Sequence, residues 1–171
     1  TVLGLVAHWE GDDDATDATG HGHDGTLQGG TGFDQGALGQ AFSLDGVANY
    51  VEVADDPGLT PSSLTLAALV YAHAVDGGRA IVSKDDPTTG HRSWTLFVLH
   101  GKLRWDLYNT DGTLRSILTL NDEVGAARWY HIAATFDEVT QEAKIYVNGL
   151  QRPVFDSGGL TQLSSSSTPF L

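Results

Sequence analysis

From Trp129 to Gly149 the chain reads W-Y-H-I-A-A-T-F-D-E-V-T-Q-E-A-K-I-Y-V-N-G, and its apolar residues fall on every second position. Tyr130, Ile132, Ala134 and Phe136 alternate with Trp129, His131, Ala133 and Thr135, which predicts a strand with one face on a core. A polar run, Asp137 to Glu142, turns the chain, and Ala143, Ile145 and Val147 then alternate with Lys144, Tyr146 and Asn148. Asn148-Gly149 supplies two residues that tolerate positive φ, so a third strand is expected to fold straight back. Such a meander buries little alone and needs a second sheet over its apolar side.

The remaining pattern supplies candidates for that sheet. Leu3 to Trp9 is a short apolar strand candidate. Glu10 to Gly32 is too dense in Asp, Gly, Thr and His for a helix and reads as a structured loop. Ala41 to Val53 reads as a strand, a turn at Asp45-Gly46 and a second strand, and Leu64 to Ala72 alternates again. Ala80 to Ser83 is a brief strand, followed by a loop from Asp85 to Arg92. Trp94 to Leu99 and Leu103 to Tyr108 flank His100-Gly101 as a hairpin, with Leu103, Trp105 and Leu107 on one face and Arg104, Asp106 and Tyr108 on the other. Leu114 to Leu120 precedes the meander; Gln151 to Phe155 and Ser164 to Ser167 follow it, and the chain ends at Pro169-Phe170-Leu171. About ten short strands at such spacing predict an all-β, two-sheet antiparallel β-sandwich or jelly roll. A single domain over residues 1–171 is the natural count for this length.

Charge narrows the partners. Nine basic against twenty-two acidic residues give a net charge of −13. Phosphate binding needs clustered Lys and Arg, so no nucleic acid and no anionic membrane surface is expected as a partner. No apolar run approaches a membrane span, so no membrane insertion is expected. There is no cysteine, which excludes disulfides and thiolate metal sites. The absence of methionine, with Thr1 first, points to a chain cut from a longer precursor.

Six segments, in order, resemble one family. They are Leu5 to Trp9; Asp17 to Leu27 (D-A-T-G-H-G-H-D-G-T-L); Gly39 to Val53; Ile81 to Lys84; Gly101 to Leu103; and W-Y-H-I-A-A-T-F-D with K-I-Y-V-N-G. Together they resemble the laminin G-like jelly-roll domains of the concanavalin A-like lectin/glucanase fold, from about Gly4 to Leu171. The resemblance implies two curved antiparallel sheets in an extracellular or cell-surface appendage that binds glycans or proteins, often with calcium. Such domains continue past a segment like S-T-P-F-L into a last strand that pairs beside the first. Here that usual final strand is expected to be missing, and a bare edge would invite self-association between chains.

Calcium takes six to eight oxygens from carboxylates, carbonyls and water. The expected ligands are Asp12, Asp17, Asp24 and Asp45. By resemblance, Asp12 matches the acidic position after the first strand, Asp17 opens the D-x-x-G-x-G turn, and Asp45-Gly46 matches a tight turn. The same side chains serve equally as turn caps on nearby amides. His21-Gly22-His23-Asp24 looks like a transition-metal cluster, but no third histidine has the spacing to complete it, so a surface loop is the reading. His131 is expected to be a half-buried structural histidine.

For a glycan, aromatic faces and fixed donors are needed. Trp94 and Trp105 are assigned to the core; Phe97, Arg104, Tyr108 and Tyr146 fall on outward faces, with His91 and Arg92 in the loop beside them. These six are the expected ligand-binding residues. Catalysis has little to stand on: the chain has no E-x-D-x-x-E string, as in laminarinase-type enzymes, and no Gln-x-His, as in jelly-roll alginate lyases. The reading is a non-catalytic, lectin-like recognition module for a carbohydrate or protein ligand, with calcium. The alternative is a structural spacer or adhesin subunit assembling through strand edges; the remote one is a polysaccharide hydrolase or lyase.

Overall fold

A computed structural model describes residues 4–86, 90–165 and 169. The expectations placed on Leu3, on 87–89 of the Asp85–Arg92 loop, and on 166–168 and 170–171 lie outside the described residues. Two compact units are present, one within Thr1–Thr60 and one within Pro61–Ser166. Both are antiparallel β, and the fold is the all-β jelly-roll sandwich expected from the alternation. Among the described residues no helix is long and apolar enough to cross a membrane.

The first unit has four short strands, β1 (Gly25–Gln28), β2 (Gly32–Gln35), β3 (Gln40–Ser43) and β4 (Tyr50–Val53), then a 3-10 turn at Pro57–Leu59. β2 and β3 form a hairpin, whereas β4 pairs back with β1. The strands flanking Asp45-Gly46 therefore take different partners. Leu5 to Trp9 is not a strand: its one ladder contact is an isolated bridge from Trp9 to Asp17. Leu5 and Val6 stay exposed, so among the described residues the apolar run that predicted a strand is not covered along this stretch.

The second unit carries the core. β5 (Leu64–Tyr71), β6 (Gly78–Asp86), β7 (His91–Leu99), β8 (Lys102–Tyr108), β9 (Leu114–Thr119), β10 (Trp129–Asp137), β11 (Glu142–Val147), β12 (Leu150–Gln151) and β13 (Val154–Asp156) follow in order. They form a four-stranded sheet, β12-β11-β10-β5, and a five-stranded sheet, β13-β9-β8-β7-β6. Register stacks apolar residues across strands: Ile132 opposes both Ala68 and Val147, Ala134 opposes Leu66 and Ile145, and Trp105 opposes Leu96 and Ile117. Ile132, Ile145, Leu96, Leu103, Trp105, Leu107 and Ile117 are fully buried, each aliphatic side chain contributing about 1.5–3 kcal/mol. Both hairpin turns read from sequence are present, with φ of 50° and 82° at His100-Gly101 and 51° and 78° at Asn148-Gly149.

Two boundaries differ from expectation. The strand expected over Ala80 to Ser83 is nine residues long, and the following strand begins at His91. Pairing irregularities between Ala80 and Val82 and between Lys84 and Asp85 break the alternation that a pattern reading relies on. The expected strand Gln151 to Phe155 is divided between the sheets: β12 pairs with β11, and β13 pairs with β9. His131 is exposed rather than half-buried, because β10 turns it away from the core beside Leu69.

Candidate functional site

On the five-stranded sheet, the side of β8 that alternation directs away from the core carries Arg104, Asp106 and Tyr108. Phe97 opposes Arg104 and Thr95 opposes Asp106, so β7 adds to the same side. Lys84 opposes Trp94 and Asp85 opposes Arg92, which leaves Ser93 unpaired in the ladder. That irregularity shifts the side-chain alternation by one and brings Arg92 round to Tyr108. Arg92 was expected in a loop; it sits in the strand and reaches the site through this shift.

Ion pairs fix the polar side chains. Arg92 donates through Nε to Asp85 at 2.7 Å and through a terminal nitrogen at 3.1 Å. Its guanidinium also lies 4.3 Å from the Tyr108 ring centroid. The hydrogen bond that Arg92 donates to Asp85 raises the pKa of Arg92 further, against the opposing effect of burial. Burial, then the negative charge of Asp85, pushes the Tyr108 phenol up. Arg104 donates through Nε to Asp106 at 2.8 Å and to Ser116 at 2.9 Å, and lies 5.3 Å from the Phe97 ring. Its two terminal nitrogens make no hydrogen bond among the described residues, and the side chain is 29% exposed. Ser83 and Thr95 share a hydroxyl hydrogen bond of 3.0 Å. The result is a half-buried polar floor with donors held in place before any ligand arrives.

Of the six expected ligand residues, Arg92, Phe97, Arg104 and Tyr108 come together here. Tyr108 is only 5% exposed beneath Arg92, so it braces the floor rather than offering an open ring. His91 lies at the exposed start of β7, opposite Asp86. Tyr146 does not join the group: it sits on β11 of the other sheet, opposite Ala133 and Gln151. Sequence reasoning put Asp106 on this face but left it, with Asp85 and Ser116, out of the ligand set, because their role depends on neighbours across the ladder. It also omitted Tyr71, 38% exposed, whose ring packs 5.5 Å from Trp129 and 5.1 Å from His73 at the end of β5. Its parity with exposed Leu69 was the available signal.

The four acidic residues expected to hold calcium are each engaged by nearby amides. Asp45 Oδ1 accepts from the amides of Val47, Ala48 and Asn49 in an exposed turn, and those donors lower its pKa. Asp12 accepts from the Gln40 amide at 3.1 Å. Asp24 accepts from the Asp17 amide at 2.8 Å. Asp17 itself is buried and accepts from the amides of His8, Thr19 and His23 and from the Thr19 hydroxyl. Burial alone would raise its pKa, but these donors together hold it well below the usual carboxylate range. Each of the four thus spends an oxygen on a backbone amide, the turn-capping role their pattern also allowed, and among the described residues no three of them bring ligand atoms within 4.8 Å of one another.

No curated protein matches the chain. Solved structures do. The binding domain of Paraclostridial Mosquitocidal Protein 1 is 17% identical with a TM-score of 0.76, over 92% of this chain and 41% of that one. The botulinum neurotoxin serotype G binding domain is 17% identical, TM-score 0.68, over 90% and 42%. The serotype D ligand-binding domain in complex with N-acetylneuraminic acid is 14% identical, TM-score 0.66, over 90% and 39%. This chain thus spans about two fifths of the length of these structures, and the likeness is one of fold. The laminin G-type family model of the concanavalin A-like lectin/glucanases superfamily matches residues 45–171. That match covers most of the sequence and both sheets of the second unit, and the chain therefore belongs to this laminin G-type family of the concanavalin A-like lectin/glucanases superfamily.

Proposed function

We propose that the chain is a non-catalytic recognition module of a secreted or surface protein, and that it binds a glycan on the polar face of the five-stranded sheet. The observation that carries this is Arg104: one nitrogen is locked by Asp106 and Ser116, and two terminal nitrogens remain for an incoming oxygen. Hydroxyls of a sugar are the natural acceptors for such fixed donors, with Phe97 beside them for an apolar ring face. Support also comes from the binding domains that share the fold, one of them solved with a sialic acid. The ligand proposed here is uncharged. Arg92 and Arg104 are each neutralised by a carboxylate, and a net charge of −13 disfavours an anionic glycan. Both carboxylates of the floor are held by guanidinium groups, which suits positioning rather than proton transfer. The reading needs no calcium.

Affinity electrophoresis through gels of neutral polysaccharides, with and without EDTA, tests it. EDTA-insensitive retardation that falls at least tenfold in Arg104→Ala is expected. Retention lost in Trp129→Ala but kept in Arg104→Ala would move the ligand to the other sheet; no retention on any glycan would end the reading.

A second reading has its own observation. Among the described residues β5 is paired only with β10, and its sequence L-T-L-A-A-L-V-Y carries no charge or proline to protect the other edge. That edge supports assembly between chains. A concentration-dependent dimer by light scattering, lost in Ala67→Pro, is its test; a monomer at millimolar concentration removes it.

A further inference from the structure

The Asp17–Asp24 loop gathers three side chains that the glycan reading leaves unused. Asp17, His21 and His23 each offer a ligand atom, and these atoms lie within 4.8 Å of one another. The Asp17 side chain is fully buried and that of His23 is 9% exposed; His21 is exposed at the mouth. His23 Nδ1 faces Asp17 Oδ2 at 3.4 Å, and its Nε2 faces Asp56 Oδ1 at 3.4 Å. Nδ1 is buried and has no hydrogen-bond partner. A neutral imidazole carries one N–H. Aimed at Asp56, it leaves an Nδ1 lone pair against a carboxylate oxygen, an arrangement that lacks a positive charge between them.

His21 has its tautomer set by a different neighbour. Its Nδ1 lies 2.8 Å from the Val6 carbonyl, which can only accept, so Nδ1–H donates and Nε2 keeps the lone pair. The backing groups are fixed as well. Asp56 is held by the Gly58 amide at 2.7 Å, and Asp17 by the amides of its own loop. A carboxylate behind one imidazole and a carbonyl behind another is the outer arrangement of metal-bound histidines. Two imidazole nitrogens with one carboxylate oxygen suit a borderline ion and not calcium.

We propose that Asp17, His21 and His23 form a site for a zinc-class divalent transition-metal ion, with Asp56 orienting His23 and the Val6 carbonyl orienting His21. Tetrahedral zinc at its usual bond lengths holds ligand atoms about 3.3 Å apart, so modest rotation, chiefly of exposed His21, completes the set. Three protein ligands leave a fourth position for water. The ion would join three segments of the first unit: the stretch at Val6, the 17–24 loop, and the turn at Asp56.

The test is titration of the tag-free, metal-stripped chain with zinc chloride alone, followed by heat and by histidine 15N resonances. One zinc per chain at micromolar affinity or tighter is expected, with the ring resonances of His21 and His23 shifting together. His21→Ala is expected to weaken binding at least tenfold while the metal-free unfolding midpoint stays put, since that side chain is exposed. Asp45→Ala is expected to bind as the parent does. Cobalt is expected to give the visible absorption of a tetrahedral centre, and millimolar calcium to leave bound zinc in place. The proposal is overturned if the parent takes up no zinc, or if His21→Ala binds it as tightly as the parent, placing the ion on others of the seven histidines.

Discussion

Arg92 and Tyr108 form a stacked pair, guanidinium over phenol at 4.3 Å, and the same guanidinium holds Asp85 in a two-bond fork. A lysine keeps the charge but neither the fork nor the stack. Arg92→Lys is therefore expected to cost about 1 kcal/mol of stability and to weaken glycan retention several-fold. Chemical denaturation alongside affinity electrophoresis reads both. A variant indistinguishable from the parent in both assays would show that the pair is ornamental.

Arg115 and Asp156 tie β9 to β13 through bonds of 2.9 and 2.6 Å, with Arg115 nearly buried. The Arg115 guanidinium holds the Asp156 carboxyl below the ordinary carboxylate range. A depressed carboxylate contributes stability that is present above the unfolded-state pKa and is lost as pH falls through the folded one. Asp156→Asn is expected to cost about 2 kcal/mol near neutral pH, because a buried cation loses its counter-charge. That difference should shrink steadily below about pH 4, where the parent protonates too. A gap that stays constant down to pH 2 would mean the pair is not its source.

Ile132 and His131 are neighbours in β10 with opposite fates. Ile132 is fully buried between Ala68 and Val147, whereas His131 faces solvent. Ile132→Ala is expected to cost about 3 kcal/mol, and His131→Ala less than about 0.5 kcal/mol. Denaturant midpoints check the contrast; equal costs would mean that the register of β10 is shifted by one.

These two residues also mark what is legible in the sequence itself. The meander and the hairpin at His100-Gly101 were legible because period-2 burial and two-residue turns are local properties of a strand. β6 was legible only over Ala80 to Ser83 and not to its full length, since its two pairing irregularities interrupt the alternation near Ala80 and Lys84. In the first unit β4 pairs with β1 across an intervening hairpin, and no local pattern encodes that choice. The same limit governs the site. Parity placed Phe97, Arg104 and Tyr108 on one side, but parity names a face and not a sheet, so Tyr146 was grouped with residues it does not meet. His21 and His23 read as a surface loop because no third histidine has the spacing to join them; the buried carboxylate beside them is Asp17 of the same loop, and Asp56 approaches His23 only once the chain has folded back.

Asn148 does more than permit a turn. Its backbone sits at φ 51°, its amide donates to the His131 carbonyl at 2.8 Å, and its side-chain oxygen accepts from the His131 amide at 3.0 Å. The turn residue thus closes the end of the β10–β11 ladder from both sides. Aspartate tolerates the left-handed region and keeps the acceptor, so Asn148→Asp is expected to stay within about 0.5 kcal/mol of the parent. Valine loses the acceptor and is strained at this φ, and Asn148→Val is expected to cost about 2 kcal/mol. Amide exchange at His131 separates the two effects: it should quicken in Asn148→Val and not in Asn148→Asp. Equal protection in both would place the closing bond elsewhere.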